Sequence, residues 1–510
     1  MRLEKILQEK FHFSSFRKGQ KEIIEDLVKG KNVMVMLPTG AGKSICYQLP
    51  GYILDGTVLI VSPLLSLMED QVQQLKSRGE KNVIGLNSFL SYQKRKSALQ
   101  SIHRYRFIYV SPEILQSAEV IHALEKIKIS LFVIDEAHCI SQWGHEFRTD
   151  YLKLDDVKKK LGNPPCLALT ATATSMVIED IIRQLDLPDV AKHIYSIDRP
   201  NIAINVKKID SLDDKIKTTI EFVKSLEGPG IVYFSSRIWT EKMAMILREN
   251  GINRVAYYHG GLENDDRLLI QQQFIQDQLD VICCTNAFGM GVDKANVRFI
   301  VHFHYPSQIE SYLQEIGRAG RDGNPSLAIL LYCNDDHDLA KSIVLHDLPN
   351  DEEWSLVFTL VSNSKQKPSL HELELLMYER YGISEIKWRF MKYQLEMEKV
   401  YVNGSVNPNL YVDDAKINIL NTVHERARLK QRDLADFKRW IEDEDCCRRE
   451  SLLWKFDQSL EVHPESCCDY CKFDIQKFKK TKNTSKTYEF TDWKEELKLI
   501  FKQSGEGQNG

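Results

Sequence analysis

Residues 37–44 read Leu-Pro-Thr-Gly-Ala-Gly-Lys-Ser, entered from the apolar run NVMVML (32–37) and followed by a helical pattern. At such a strand-to-helix turn, glycines let backbone N–H groups close round phosphate oxygens, and the helix N-terminus favours their charge. Thr39, Gly40, Ala41 and Gly42 would form the cradle, Lys43 would reach the terminal phosphates and Ser44 would ligate Mg2+. Leu37 stands where the common form of this loop has its first glycine, so a plain glycine-rich turn is the competing reading. A second run, LFVIDEAH (131–138), ends in two carboxylates. Asp135 there would orient Mg2+ through water and Glu136 would polarise an attacking water; the bland alternative is a pair of acids capping the next helix. In QEIGRAGRDG (314–323), Arg318 and Arg321 follow Gln314 and stand three residues apart, which on a helix puts them on one face. Arginine suits the charge that builds on a transferring phosphoryl group, and Arg321 is the better candidate for that role. A salt-bridged surface helix has little use for the three glycines in this stretch.

The eleven cysteines divide into two groups. Cys46, Cys139, Cys166, Cys283, Cys284 and Cys333 lie in apolar strand-like segments and are expected in the core as reduced thiols. The other five crowd into 446–471, including a Cys-x2-Cys pair at Cys468 and Cys471, which points to one tetrahedral metal ion.

These groups need elements to hold them. Apolar runs of four to eight residues alternate with helical patterns through the first 340 residues: TVLIVSP, RFIYVSP, LFVIDE and CLALTAT, then GIVYFSS, VICCT, RFIVHF and LAILLY after a break at Arg199-Pro200-Asn201. That texture predicts two tandem parallel sheets covered by helices on both faces, an α/β class, with ligands at the carboxyl ends of the strands. The expected division is lobe one over 1–205 and lobe two over 206–342. Three amphipathic helices and a strand pair round an Asn-Gly turn fill 343–415, which is either a winged helix or a helical connector. A helical pair feeds the cysteines over 416–475, and a basic tail occupies 476–510.

Composition sets limits without choosing a substrate. The chain has 510 residues, 43% hydrophobic and 27% charged, with a net charge of −4. Those fractions suit a globular protein, and the absence of an apolar run of about 18 residues leaves nothing to span a bilayer. The charge neither favours nor excludes nucleic acid, because basic groups can be confined to one groove.

The three chemical motifs together resemble a superfamily 2 helicase, and the detail resembles the RecQ family, over 1–340 and again over 416–471. FHFSSFRKGQKEII (11–24) looks like that family's nucleotide motif, although His12 replaces a usual glycine and Ala41 replaces another in the phosphate loop. The likeness implies that Phe13 and Arg17 sandwich adenine and that Gln20 reads its edge. PLLSLMEDQV, YVSPE, LTATA, RPN, YFSSR, YYHGGL and TNAFGMGVDK match further motifs in order and imply nucleic-acid contacts at Ser66, Ser111, Arg237, His259 and Thr285. DEAHCISQWGHEFRTDY (135–151) resembles the family's aromatic-rich loop, which implies that Trp143, His145, Phe147 and Arg148 couple a single strand to hydrolysis. Cys447, Cys468 and Cys471 fit the family's zinc positions; for the fourth ligand Cys467 stands before His463 and Cys446. The resemblance implies an ATP-, Mg2+- and Zn2+-dependent enzyme that translocates 3′ to 5′ on single-stranded DNA and unwinds duplex DNA in repair or recombination. It further implies a cytoplasmic, nucleoid-associated monomer, with single-strand-binding and recombination proteins as partners. An RNA helicase and a non-hydrolysing nucleic-acid scaffold are the alternatives.

Overall fold

In the computed structural model the residues described are 2–63, 65–87, 90–141, 148–288, 294–363, 367–408, 411–471 and 473–480. The apolar runs become strands because both faces of each sheet are buried, so the strands need no polar side. In the first lobe these are β1 (Val33–Met36), β2 (Thr57–Val61), β3 (Val83–Leu86), β4 (Phe107–Val110), β5 (Ile129–Ile134), β6 (Cys166–Thr170) and β7 (Ala191–Ile194), in the order β3-β4-β2-β5-β6-β1-β7. In the second they are β8 (Ile202–Lys208), β9 (Gly230–Tyr233), β10 (Val255–Tyr258), β11 (Val281–Cys284), β12 (Phe299–His302) and β13 (Ser326–Tyr332), in the order β10-β11-β9-β12-β13-β8. All named pairings in both sheets are parallel. The phosphate loop therefore leaves the end of β1 beside β6, with Met36 opposite Thr170, and Asp135 follows β5 on the far side of β6.

β8 pairs with β13 along seven positions, so the lobes divide before Ile202 rather than at 205. The 476–510 segment is likewise not free from its first residue. Phe478 is buried in the second lobe's core, and the Lys480 N–H donates to Ser225 O at 2.9 Å.

Beyond the lobes, helices Asp351–Asn363, Leu370–Leu375 and Glu385–Met397 precede the hairpin of β14 (Tyr401–Val402) and β15 (Ser405–Val406), two residues to each strand. They close round their own core, which includes Trp354, Leu373, Trp388 and Met391. A single helix, Val412–Glu442, then crosses the expected boundary at 415. At about 1.5 Å per residue it is long enough to serve two cores. Ala415, Ile419 and Val423 pack into the helical unit, while Leu434, Phe437, Trp440 and Ile441 pack onto the lobes, with Phe437 and Trp440 against Tyr312. None of the described helices is long and apolar enough to cross a membrane.

Candidate nucleotide site and cysteine cluster

Gly40 and Gly42 take φ of 87° and 78°, a left-handed conformation that glycine adopts without the cost a side chain would bring. Ala41 is absent from the positive-φ positions, which explains why alanine can stand between them. Lys43 Nζ lies 3.6 Å from Glu136 Oε1, so the two strand ends converge as the sequence suggests. Glu136 sits at φ 49°, ψ 49°, left-handed for a residue with a side chain, a strain that costs on the order of 1–2 kcal/mol. His138 Nδ1 holds the other side of that carboxylate at 3.4 Å and contacts Thr170 Oγ1 at 3.0 Å, which ties the acid pair to the LTATA segment. Burial, then the adjacent Glu136 carboxylate, raises the Asp135 carboxyl to about 6, while Lys43 opposes the rise. A cation beside Asp135 would restore its charge.

A cavity of about 330 Å³ runs over this cluster, and both lobes line it. The first lobe contributes Phe13, Arg17, Gln20, Thr39, Lys43, Ser44, Asp135 and Glu136; the second contributes Gln314, Arg318 and Arg321. The arginines do not share a helix face: the helix ends at Ile316, and both sit in the turns that follow. Gly320, at φ 55°, turns the chain after that helix, and the turn carries Arg321 over the loop, with its Cγ 3.2 Å from where a Cβ on Gly40 would lie. Among the described residues the buried Gln314 Nε2 and Arg318 Nε have no hydrogen-bond partner. Donors held in that condition at a cavity wall suit an anionic ligand.

The adenine group is placed differently from its sequence reading. Gln20 Nε2 donates to Ala41 O at 3.1 Å and Gly42 O at 3.0 Å, its Oε1 accepts from Arg17 N at 2.9 Å, and Arg17 Nη1 donates to Gly40 O. Both side chains thus brace the phosphate loop in this state, while Phe13 stays 42% exposed at the cavity mouth. The sequence reading missed Tyr47, Gln71, Gln74 and Arg78, which also line the cavity. Only the PLLSLMEDQV motif signalled any of these, through Gln71.

Of the residues expected to touch nucleic acid, Arg237 is exposed at a helix start, and Thr285 is half-buried, its Oγ1 accepting from Ala287 N at 3.4 Å. Ser111 and His259 are buried and engaged: the Ser111 hydroxyl accepts from Ile114 N at 3.4 Å, and His259 Nε2 contacts Glu241 Oε1 at 2.8 Å. As they stand, these two position loops. Arg148 Nη1 donates to Pro63 O at 2.9 Å and lies 3.9 Å from Glu113, which also pairs with Arg389 of the helical unit at 3.1 Å. Trp143, His145, Phe147 and the side chain of Ser66 lie outside the described residues.

Cys447, Cys467, Cys468 and Cys471 bring their sulfurs within 4.8 Å of one another. The Cys447–Cys467, Cys447–Cys468 and Cys468–Cys471 separations are 3.6, 3.8 and 3.6 Å. A tetrahedron with Zn–S bonds of about 2.3 Å has edges near ~3.8 Å, so the four thiols fit that ion. Cys446 instead points its sulfur at Asp443, 3.3 Å away, and His463 is exposed outside the cluster. The six core cysteines are all buried, as expected.

Two parallel-sheet lobes meeting over one phosphate loop, with acids on one side and arginines on the other, define a two-lobed ATP-using motor. Residues 17–181 match the DEAD/DEAH box helicase family and residues 214–323 the helicase conserved C-terminal domain. The chain is 46% identical over 502 residues to the probable ATP-dependent DNA helicase RecS of Bacillus subtilis, covering 98% of each. It is 40% identical to the ATP-dependent DNA helicase RecQ of Pasteurella multocida over 73% of this chain, yet spans only 59% of that relative. Its fold is similar to that of the Mycobacterium smegmatis helicase Lhr bound to ssDNA and AMP-PNP, with a TM-score of 0.57 at 18% identity over 77% of this chain and 55% of that one. The chain belongs to the RecQ family of helicases.

Proposed function

We propose that this protein is an ATP-dependent DNA helicase that moves 3′ to 5′ along a single strand and separates duplex DNA, in repair or recombination. The observation that carries this reading is the shared cavity, with Lys43 and Glu136 3.6 Å apart on one lobe and Gln314, Arg318 and Arg321 facing them from the other. Lys43 holds the terminal phosphates, Glu136 polarises the attacking water, and Arg318 and Arg321 neutralise charge on the transferring group, with Gln314 beside them. Ser44 and Asp135 would hold Mg2+, which supplies charge neutralisation at the phosphates. Phe13, Arg17 and Gln20 would receive the adenine once Arg17 and Gln20 release the loop. Hydrolysis then alters how the lobes close, and alternating closure moves the strand.

Trp143, His145, Phe147 and Arg148 sense the strand by stacking, which is tolerant of sequence, and Ser66, Ser111, Arg237, His259 and Thr285 track its backbone. The cysteine cluster holds a structural Zn2+ that secures the long helix to β8. The helical unit at 351–406 engages the duplex as a winged helix. The protein acts as a monomer in the cytoplasm, at the nucleoid, beside single-strand-binding and recombination proteins.

The test is ATP hydrolysis without nucleic acid and with single-stranded DNA, duplex DNA or single-stranded RNA, using Trp143→Ala alongside. Stimulation by single-stranded DNA that the variant loses supports the reading. Stimulation by RNA alone favours an RNA helicase, and no hydrolysis under any condition leaves a nucleotide-binding scaffold.

A further inference from the structure

Between the lobes, Tyr195 to Ile202 forms a linker, and Arg199 in its middle makes an unusual set of contacts. Among the described residues its guanidinium donates to backbone carbonyls alone: Thr39 O at 2.7 Å, Gly317 O at 2.9 Å, Ala319 O at 3.0 Å and Gly320 O at 2.7 Å. Thr39 belongs to the phosphate loop; the other three belong to the turn that carries Arg318 and Arg321. That turn follows directly on helix Ile309–Ile316, and the carbonyls that Arg199 takes lie just past the helix end. A cation there holds the turn's carbonyls and complements the negative end of the helix. Burial, then the charges of Arg321 and Arg17, pulls the Arg199 guanidinium down to about 10, so it keeps its charge at neutral pH. Only a planar fork with five donors serves four carbonyls at once; a lysine ammonium has three donors on a point.

Arg199 is itself held from the cysteine subdomain. Arg449, two residues past Cys447, is buried and donates to Arg199 O at 3.0 Å, to Ile202 O and to the Asp198 carboxylate. It also reaches Cys467 O at 3.5 Å. Gln458 takes the next stretch of linker, accepting from Ile197 N at 3.0 Å and donating to Tyr195 O at 3.4 Å. The cluster is joined to the adjoining strand as well: Ile204 N donates to Cys467 O at 3.0 Å, and Asp469 N to Ile204 O at 3.0 Å.

We propose that Arg199 is a positioning residue that sets the arginine-bearing turn over the phosphate loop, and that the cysteine subdomain fixes Arg199 through Arg449. The zinc module is therefore mechanically coupled to the ATP site over the linker, not only to the long helix. This rests on the hydrolytic roles given above for Arg318 and Arg321.

The experiment compares wild type with Arg199→Lys, Arg449→Lys, Arg321→Ala and the Arg199→Lys/Arg321→Ala double variant. The readouts are DNA-stimulated kcat, KM for ATP, affinity for a fluorescent ATP analogue, zinc content and melting temperature. Arg199→Lys is expected to keep analogue affinity within about twofold while kcat falls about tenfold or more, since small misplacements of reacting groups are that costly. Arg449→Lys is expected to shift kcat the same way at unchanged zinc content, and it carries the test if Arg199→Lys fails to fold. The double variant should fall no further than Arg321→Ala alone, because Arg199 acts through that side chain. Unchanged kcat in both lysine variants, additive losses in the double variant, or lost affinity with kcat retained would overturn the proposal. Absence of hydrolysis in the wild type would overturn the motor reading itself, whereas wild-type hydrolysis with unaffected variants overturns only this one.

Discussion

Gly317→Ala probes closure of the lobes apart from the stability of either. Gly317 has φ −60°, an ordinary helical value, so alanine brings no backbone strain there. An added Cβ would instead lie 3.1 Å from Thr39 Cβ across the lobe boundary and 3.0 Å from the Leu313 carbonyl. Carbon pairs prefer about 3.5–4.0 Å, so the phosphate loop and the arginine turn must separate by roughly 0.5 Å. A misplacement of about 1 Å can cost ~10²-fold in rate, and half of that distance corresponds to about tenfold. Folding stability should change little, because the roughly 0.4–1 kcal/mol gained by restricting the unfolded chain is offset by the close approach to the Leu313 carbonyl. Gly251→Ala is the control. Its φ is +86° and no atom lies within 4 Å of the added Cβ, so it should lose about 1–2 kcal/mol of stability and no activity. DNA-stimulated hydrolysis at saturating ATP, with a thermal melt of each variant, reads both quantities. A Gly317→Ala enzyme whose kcat stays within about twofold of wild type would refute the inter-lobe reasoning.

Other residues give further tests. Glu136→Gln should bind a fluorescent ATP analogue as wild type does yet lose turnover by about 10²-fold or more, and normal turnover would remove Glu136 from its assigned role. Cys468→Ser should lower zinc content from one ion per chain and melt at a reduced temperature that chelator-treated wild type shares; indifference of wild type to chelation would argue against a structural ion. Asp433 is raised to about 6 by burial and then by Glu310, against the opposing charges of Lys455 and Arg432. A folded pKa above the unfolded value of about 3.9 means that the fold binds the proton more tightly, so the penalty is absent below about pH 4 and complete above about pH 6. Asp433→Asn should therefore stabilise the protein by about 1 kcal/mol at pH 7.5, after allowing for solvent screening, and change nothing near pH 4; equal effects at both pH values would contradict the burial argument.

The central strands of both sheets were legible because burial on two faces leaves continuous apolar runs. The four strands that the runs did not reveal, β3, β7, β8 and β10, are the four sheet edges. β7 alternates half-buried with exposed side chains, and β8 ends in two exposed lysines, so neither carries the buried-strand signature. That gap also put the lobe boundary a few residues late. The candidate residues that line the shared cavity stood out in the sequence because each lies within a short motif at a strand or helix end. The arginine pair does line the shared cavity, but its local structure differs from the expected helix face, since three-residue spacing cannot distinguish a helix from the turns that replace it. Cys467 already stood first for the fourth ligand in the sequence, and three-dimensional proximity then sets it apart from Cys446 and His463. His12 had a visible clue: it stands at a position the family gives to glycine, and it takes φ 59°. Arg199 stood in a recognised motif, but its partners are carbonyls, which every residue carries, and so left no trace in side-chain types.

The most direct test of the central claim is ATP-dependent separation of a labelled duplex bearing a single-stranded tail at either its 3′ or its 5′ end. The account predicts strand release from the 3′-tailed substrate with ATP, and none with a non-hydrolysable analogue or with Glu136→Gln. Release without hydrolysis, or no release from either DNA substrate while RNA duplexes are opened, would contradict it.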